Sequence, residues 1–569
     1  MGFLQPNLPE VDDAWRAGTR EERMRPMARH VAEVGFGTPD VVFLVYVLKI
    51  GLYVLGAMLF ALTTSGIDGF TDVGSWWSEP VVFQKVVIWT LLFEVLGLGC
   101  GFGPLNLRMM PPLGSFLYWL RPGTIRLPPW PGKVPLTRGT RRTPLDVLLY
   151  AALLLTALWG LLSSGPVVER ERVAAMLVAL VLVGLRDKTI FLAARAEVYG
   201  ALAVTFLLTG ADMIVAAKLV MLAIWWGAAT SKLNRHFPFV VQAMMSNSPV
   251  LRSRRLKRRF HRDFPDDLRP SRLASGLAHT GTFVEYVVPL TLFLSHGGWV
   301  TVVAATVMIA FHLQILTSFP MGVPLEWNVF MIFAILTLFV HDAEYGLGDV
   351  TTWWPILLLM AVVVGTVVVG NLVPRLVSFL PGMRYYAGNW DTSYWCFTEA
   401  GLAKLDAGTV KASLLPHQQL EKIYGPEEAE IPQFIGYAFR AMHSHGRALF
   451  SLIPRACGPR HETDYRVIEG ELVAGAVLGW NFGDGHLHDE QLIAALQERC
   501  VFVDGDVRVV LLEAQPIHRQ TQQFRLVDAA TGEFERGYVA VADMCARQPC
   551  DTDLPVHVTG GRRTAESGA

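Results

Sequence analysis

The sequence predicts a mainly α-helical protein, a multi-pass membrane bundle followed by a soluble α+β domain. Of its 569 residues, 52% are hydrophobic and only 17% are charged, whereas soluble domains carry about 25% charged residues. Long apolar runs extend from residue 41 to about residue 373, and both ends of the chain are polar. Because apolar runs of about 20 residues match the thickness of a bilayer core, the positions of these runs define the fold class.

The same changes in composition divide the chain into four predicted parts. A polar N-terminal segment, 1–40, precedes a transmembrane domain, 41–380; a soluble α+β domain, 381–558, and a disordered tail, 559–569, follow. The first apolar run follows a mixed-charge stretch and not a cleavable signal, so we expect it to remain as a membrane anchor. The formal net charge of -1 argues against a nucleic-acid partner and leaves membrane lipids as the expected one.

Ten apolar segments are candidate membrane spans. They are 41–64, 81–101, 145–164, 173–193, 198–212, 214–233, 276–295, 298–318, 325–341 and 353–373. Charged residues interrupt the region 173–233, and the segment 198–212 is short for a span. The sequence therefore predicts eight to ten spans.

The distribution of basic residues predicts the orientation of the bundle. Lys and Arg are concentrated in the loops 102–144 and 251–272, whereas the loops 65–80 and 342–349 carry acidic residues. Because short cytoplasmic loops are enriched in Lys and Arg, both basic loops are predicted to be cytoplasmic. Five of the six cysteines lie in the C-terminal part without a CxxC pair, which indicates reduced thiols. We therefore predict an inner (plasma) membrane protein with both termini cytoplasmic.

The soluble domain begins with an aromatic segment, 383–397, that we expect to lie against the membrane surface. Helices are predicted at 399–406, 417–424, 434–450 and 489–500, and strands at 465–480, 507–514, 522–528 and 535–543. Docking through Tyr385, Tyr386, Trp390 and Trp395 is predicted to hold the domain on the bundle. The domain is also the expected contact for a membrane-protein partner.

No known cofactor motif is present in the sequence. The pairs His443/His445 and His486/His488 have a spacing that shares one face only on a strand. The first pair lies in a helical pattern and the second in a glycine-rich loop, so neither predicts a metal site. The chain also lacks a P-loop, GxSxG, HExxH and a Rossmann fingerprint, so it predicts neither a metal nor a particular cofactor.

Ionisable side chains inside the apolar runs are the candidate functional residues, because such groups face a protein interior or a water-filled cavity. They are Lys49, Lys85, Glu94, Asp187, Lys188, Glu197, Asp212, Lys218, Lys232, Glu285 and His312. Lysines near span ends have the alternative of extending to the headgroups. An interhelical ion pair is the expected role of Glu94.

Asp187, Lys188, Lys232 and His312 are predicted to converge on one polar cavity, with Glu285 near it. Burying any of these groups unpaired costs several kcal/mol, and pairing or a shared water-filled pocket offsets that cost. Lys232 is the candidate base, since partly desolvated lysines act as bases in enzymes. His312 is the candidate proton relay or substrate contact. The alternative is a structural role, with His312 a hydrogen-bonded core residue and Lys232 the partner of a buried carboxylate.

Short motifs recur in a fixed order within 145–345. They are Asp187-Lys188-Thr189, Tyr199-Gly200-Ala201-Leu202, a small-residue helix ending in Lys232-Leu233, then His279 with Glu285, and Phe311-His312-Leu313 before Phe319-Pro320-Met321-Gly322. In this order the segment resembles the transmembrane region shared by vitamin K-dependent gamma-carboxylase and the bacterial horizontally transferred transmembrane (HTTM) proteins. The resemblance implies a membrane fold in which these positions lie close together.

The chain departs from the carboxylase directly after the Asp-Lys-Thr motif. Ile190 to Ala194 stand where the carboxylase has a Trp, paired Asn and a His. The resemblance therefore does not carry quinone-linked carboxylation to this chain. As a whole, the sequence resembles a family of actinobacterial transmembrane proteins of similar length and unknown function.

Two classes of function remain open from the sequence. One is a membrane enzyme that acts on a lipid or quinone-like molecule in a cavity among the spans. The other is a non-catalytic lipid-handling, transport or scaffold component whose buried charges are structural. The inverted repeats and broken helices of transporters are not apparent. A lipid-sized cavity that holds Lys232 and His312 together would favour the enzyme, and a solid bundle would favour the second class.

Overall fold

The computed structural model describes residues 3–101, 103–106, 113–318 and 325–562. The motif Phe319-Pro320-Met321-Gly322 and residues 563–569 of the predicted tail lie outside this part of the chain. Helices dominate the described residues, and a β-sheet follows the last membrane helix. The helices up to that point are α1 Asp13–Ala17, α2 Arg20–Glu33, α3 Asp40–Ala61, α4 Val73–Trp76, α5 Pro80–Val95, α6 Gly114–Trp119, α7 Pro144–Leu161, α8 Arg170–Arg186, α9 Lys188–Ala193, α10 Ala201–Thr205, α11 Gly210–Ser231, α12 Phe237–Asn247, α13 Arg254–Arg258, α14 Arg272–Leu294, α15 Gly298–Ser318, α16 Leu325–Ala334 and α17 Trp353–Leu372.

Six of these helices, α3, α7, α11, α14, α15 and α17, are long and apolar enough to cross a membrane. The other four predicted spans fall on shorter helical segments. Helix α5 has 16 residues, α8 has 17 and α10 has five, while α16 continues as a π-helix over Ile335–His341. The described residues thus contain six full-length candidates and not the predicted eight to ten, because these four segments are too short individually.

Helix α11 is the central element of the bundle. In its apolar stretch 83% of the residues are buried, whereas the other five candidate spans bury only 22–33%. A helix that is apolar on all sides is either buried in a core or exposed to lipid. Helix α11 is therefore a core helix, whereas the other five candidate spans have surfaces that suit contact with lipid. Most side chains along α11 are therefore enclosed by protein.

The C-terminal region is built on a six-stranded antiparallel sheet with the strand order β4-β3-β5-β6-β7-β8. The strands are β3 Thr392–Phe397, β4 Arg466–Glu469, β5 Val507–Leu512, β6 Thr521–Asp528, β7 Gly532–Ala540 and β8 His557–Gly560; β1 His261–Asp263 and β2 Asp267–Pro270 form a separate hairpin within the membrane part. The accompanying helices are α18 Glu399–Gly408, α19 Pro416–Tyr424, α20 Glu430–Met442, α21 Ser444–Cys457, α22 Gly470–Leu478, α23 Glu490–Cys500 and α24 Val541–Ala546.

Strand β3 lies inside the sheet, and all six of its residues are buried. Its sequence belongs to the aromatic segment that we expected at the membrane surface. Trp395 is fully buried and its ring is stacked on that of Phe397, so this residue does not dock the domain on the bundle. The predicted strand at 465–480 is also shorter, because helix α22 replaces it after Glu469.

The N-terminal segment and the C-terminal region lie at the same end of the bundle. Helix α2 packs on α20, where Arg23 forms a 2.8 Å ion pair with Glu430. From the first basic loop, the indole of Trp119 donates to the carbonyl of Leu478 at 2.9 Å. Both ends of the chain are therefore assembled on one face.

Candidate functional site

A cavity of about 340 Å³ lies between α11, α12, α14, α15 and α16. Lys232, Glu285 and His312, three of the five predicted site residues, line it. Tyr385 and Tyr386 from the segment after α17 complete its wall. The remaining lining is mainly aliphatic and aromatic: Ile224, Val240, Met244, Val284, Phe311 and Met331 are typical. The volume lies at the lower end of the range for small-molecule pockets, which are likewise mostly apolar with a few polar groups.

Small residues at the end of α11 bring the chain beyond α17 into this wall. A Cβ atom on Gly227 would lie 2.9 Å from the sulfur of Met383, so a larger residue here would displace the Met383 side chain. Met383 and Tyr386 have φ angles of 50° and 45°, a left-handed conformation that is unusual for non-glycine residues. The surrounding packing must therefore hold this segment in place.

Lys232 and Glu285 form a buried ion pair on one side of the cavity. The Nζ atom of Lys232 donates to both carboxylate oxygens of Glu285, at 2.6 Å and 2.5 Å. The two side chains are only 8% and 5% exposed. Each charge is thus balanced by the other, and the pair as a whole is neutral.

His312 is held in one orientation and one tautomer. The indole N–H of Trp225 lies 3.1 Å from its Nε2 atom, and the side-chain oxygen of Asn328 lies 2.9 Å from its Nδ1 atom. Because an indole nitrogen can only donate, Nε2 accepts and Nδ1 carries the proton that is donated to Asn328. Both ring nitrogens of His312 are therefore engaged.

The cavity reaches the surface of the bundle at α14 and α15. Leu277 and Thr280 on α14 and Gln314 on α15 line it and are exposed at the surface of the bundle. A second cavity of about 140 Å³ shares Met244 and Tyr386 with the first and extends toward the C-terminal region. The wall between the two cavities thus includes the strained Tyr386 backbone.

A family model described as "transmembrane protein of unknown function (DUF3556)" matches residues 1–559. The chain belongs to this family. Because one model covers both the bundle and the C-terminal sheet, the two regions are parts of one family-wide unit. A search of curated proteins and a search of solved structures found no match. The actinobacterial source and the likeness to the gamma-carboxylase region stay predictions.

In this DUF3556 protein, Asp187 and Lys188 do not line the cavity, so the prediction that they converge on it with Lys232 and His312 is wrong for these two. Asp187 accepts a 2.7 Å hydrogen bond from Arg142 and a 3.0 Å bond from the Thr189 N–H at the start of α9. Lys188 lies 3.9 Å from Asp489 of the C-terminal region. Helix capping and contact between regions, and not a shared pocket, satisfy these charges.

Two further buried lysines of the DUF3556 chain are bound by backbone carbonyls. Lys85 donates to the carbonyl of Ser163 at 2.7 Å, and Lys218 donates to that of Tyr345 at 2.6 Å. Both lysines thereby join a helix to a neighbouring loop. Their contacts indicate a structural role.

Sequence reasoning missed Glu326, Trp327 and Asn328, three consecutive residues at the start of α16. Trp327 and Asn328 line the cavity, whereas Glu326 is buried beside Lys49 on the other side. The signal was present in the sequence, since Glu326 is a carboxylate at the start of an apolar segment. It is the second residue of the predicted span 325–341, where an acidic side chain also suits the first turn of a helix.

Proposed function

We propose that this transmembrane protein binds a lipid-like molecule in the cavity of about 340 Å³ beside Lys232 and Glu285. The observation that carries the proposal is a mainly apolar cavity that reaches the surface of the bundle at α14 and α15 and contains the ion pair of Lys232 and Glu285. Because both helices are candidate spans, a cavity that reaches their exposed surface would be accessible from lipid. A ligand that enters there must itself be soluble in the membrane.

The ion pair of Lys232 and Glu285 limits which lipid headgroups can bind in the cavity. An anionic headgroup that took Lys232 away from Glu285 would leave a buried carboxylate unpaired, which is strongly unfavourable. A hydroxyl group can accept from the ammonium and donate to the carboxylate at the same time. We therefore propose a neutral lipid with a free hydroxyl group, such as a diacylglycerol, a prenol or a quinol.

Binding is better supported than base catalysis. Lys232 is engaged by both oxygens of Glu285, and both ring nitrogens of His312 have partners. A general base needs a free lone pair within hydrogen-bond reach of the substrate proton. Catalysis at this site would therefore require the ligand to separate these pairs first.

The experiment fills the cavity and measures bound lipid. Gly281 lines the cavity, whereas Gly276 on the same helix is exposed with open space around its Cβ position. Full-length protein is purified in mild detergent, and its co-purifying lipids are identified by mass spectrometry. Gly281→Trp should lose the hydroxyl lipid, and Gly276→Trp should retain it. Equal retention in both variants, at unchanged melting temperatures, would contradict the proposal.

Turnover is the second candidate, because Lys232 and His312 share one cavity, as we expected for the enzyme class. It is tested by incubating the purified protein with the lipid that co-purifies and searching for a product that Lys232→Met does not form. Recovery of only unchanged lipid from the wild type would leave binding as the function.

A further inference from the structure

A second cluster of buried charges lies behind the wall of the cavity. The guanidinium of Arg195 stacks 4.2 Å from the ring of Trp327, which itself lines the cavity. The cluster comprises Lys49, Glu94, Cys100, Arg195, Glu197 and Glu326, and none of their side chains is more than 8% exposed. These residues come from five separate parts of the bundle: α3, α5, the turn after α5, the π-helical turn before α10, and α16.

Three potential metal ligands meet in this cluster. The carboxylates of Glu94 and Glu326 and the Sγ atom of Cys100 lie within 4.8 Å of one another. Cys100 donates to Glu94 twice, from its thiol at 2.9 Å and from its backbone N–H at 3.0 Å. A Cβ atom on Gly99 would collide with the Glu94 carboxylate, so a larger residue here would displace that carboxylate.

Glu326 supplies an independent sign of a missing partner. It is 1% exposed, and neither of its carboxylate oxygens accepts a hydrogen bond from the described residues. The ammonium of Lys49 lies 3.5 Å from Oε2, and it donates instead to the carbonyl of Gly99 at 2.6 Å. Buried carboxylates normally have hydrogen-bond partners, so this side chain is poised for another cation.

The charges of the cluster also favour a bound cation. Its described residues include three carboxylates, Glu94, Glu197 and Glu326, and two cationic groups, Lys49 and Arg195. With Cys100 as a thiol, the negative charges of these described residues exceed the positive ones by one. A divalent cation that binds the Cys100 thiolate balances the charges of these described residues, because the thiolate adds one negative charge and the ion adds two positive ones.

We propose that Glu94, Cys100 and Glu326 bind a zinc-class divalent cation. Mg²⁺ and Ca²⁺ prefer oxygen ligands, whereas Zn²⁺ accepts a thiolate together with carboxylates. Binding releases the thiol proton of Cys100 to solvent, and Arg195, whose Nη1 lies 3.5 Å from Sγ, stabilises the thiolate. Three protein ligands leave the fourth position of a tetrahedral ion open for water or another small ligand.

The experiment uses full-length protein in detergent and two probes, Zn²⁺ and Co²⁺. After dialysis against Zn²⁺ and removal of free ion, the wild type should retain one zinc per chain by elemental analysis. After replacement of the zinc by Co²⁺, a thiolate-to-cobalt charge-transfer absorption should appear. Cys100→Ser should abolish that absorption, and Glu326→Gln should lose stoichiometric zinc.

Cys396→Ser is the matched control, because Cys396 is a buried cysteine in strand β3; it should keep both signals. Glu326→Gln keeps the size of the side chain and removes only its charge, so it decides the outcome if Cys100→Ser does not fold. Wild-type protein that binds no Zn²⁺ and shows no charge-transfer absorption would overturn the proposal. Full metal binding in folded Glu326→Gln or Cys100→Ser would also overturn it.

Discussion

The two buried ionic sites of the bundle differ in how their charges are balanced. Lys232 and Glu285 are a one-to-one pair with two short hydrogen bonds. Behind Trp327, the carboxylate of Glu326 lies 3.5 Å from Lys49 and accepts no hydrogen bond from the described residues. The pair of Lys232 and Glu285 can bind a neutral ligand without leaving either charge unpaired. The carboxylate of Glu326, in contrast, favours a further cation. We therefore expect a neutral lipid beside Lys232 and Glu285 and a divalent cation beside Glu326.

Removing one partner of the balanced pair is expected to have the largest effect on stability. Lys232→Met leaves Glu285 as an unpaired buried charge and should lower the free energy of unfolding by about 3–5 kcal/mol. The double variant Lys232→Met with Glu285→Leu removes both charges and should recover most of that loss. Thermal unfolding of the full-length protein in detergent measures both changes. A double variant as unstable as the single one would show that the pair is not balanced.

Removing the carboxylate of Glu326 should raise the free energy of unfolding and not lower it. Without metal, Glu326→Gln makes the cluster neutral and should raise the free energy of unfolding by about 1–3 kcal/mol, the cost of an unsatisfied buried group. Added Zn²⁺ should then stabilise the wild type and leave the variant unchanged. The same melting experiment, with chelator or with Zn²⁺, measures this. A metal-free variant that is less stable than the wild type would contradict the charge count.

The sequence predicted the six full-length candidate spans, and three of its five candidate site residues line the cavity, because an ionisable group in an apolar run needs a partner or a pocket. It misplaced Asp187, since a carboxylate before a helix serves equally well as an N-cap. Strand β3 was missed because an aromatic-rich segment suits both a sheet interior and a membrane surface. Pairwise contacts between distant segments, such as Cys100 with Glu326, leave no local pattern in the chain.

Acid should destabilise the C-terminal region through histidines that are buried without a charge partner. Burial, and next the neighbouring Arg440, hold the pKa of His445 well below its usual value. Burial likewise lowers the pKa of His443 to about 3. The unfolded chain binds these protons near pH 6.5 and the folded chain does not, so stability falls as the pH drops below about 6.5.

Below about pH 6.5, the free energy of unfolding should fall by about 1.4 kcal/mol per pH unit for each such proton. Melting temperatures between pH 7.5 and pH 5 measure it. His445→Gln should reduce the slope, and replacement of the exposed His518 by Gln should not. Equal slopes in the wild type and His445→Gln would show that His445 is protonated in the folded protein.

The smallest effect is expected at Lys188, which the sequence placed beside Lys232 and the structure places elsewhere. Its ammonium lies 3.9 Å from Asp489, and the two side chains are 17% and 28% exposed. Partly exposed ion pairs contribute only about 0–1 kcal/mol, so Lys188→Met should change the melting temperature little and leave co-purifying lipid unchanged. Lys232→Met, the matched variant inside the cavity, should lose both stability and lipid. If Lys188→Met removed the lipid as Lys232→Met does, the two lysines would act on one site, as the sequence predicted.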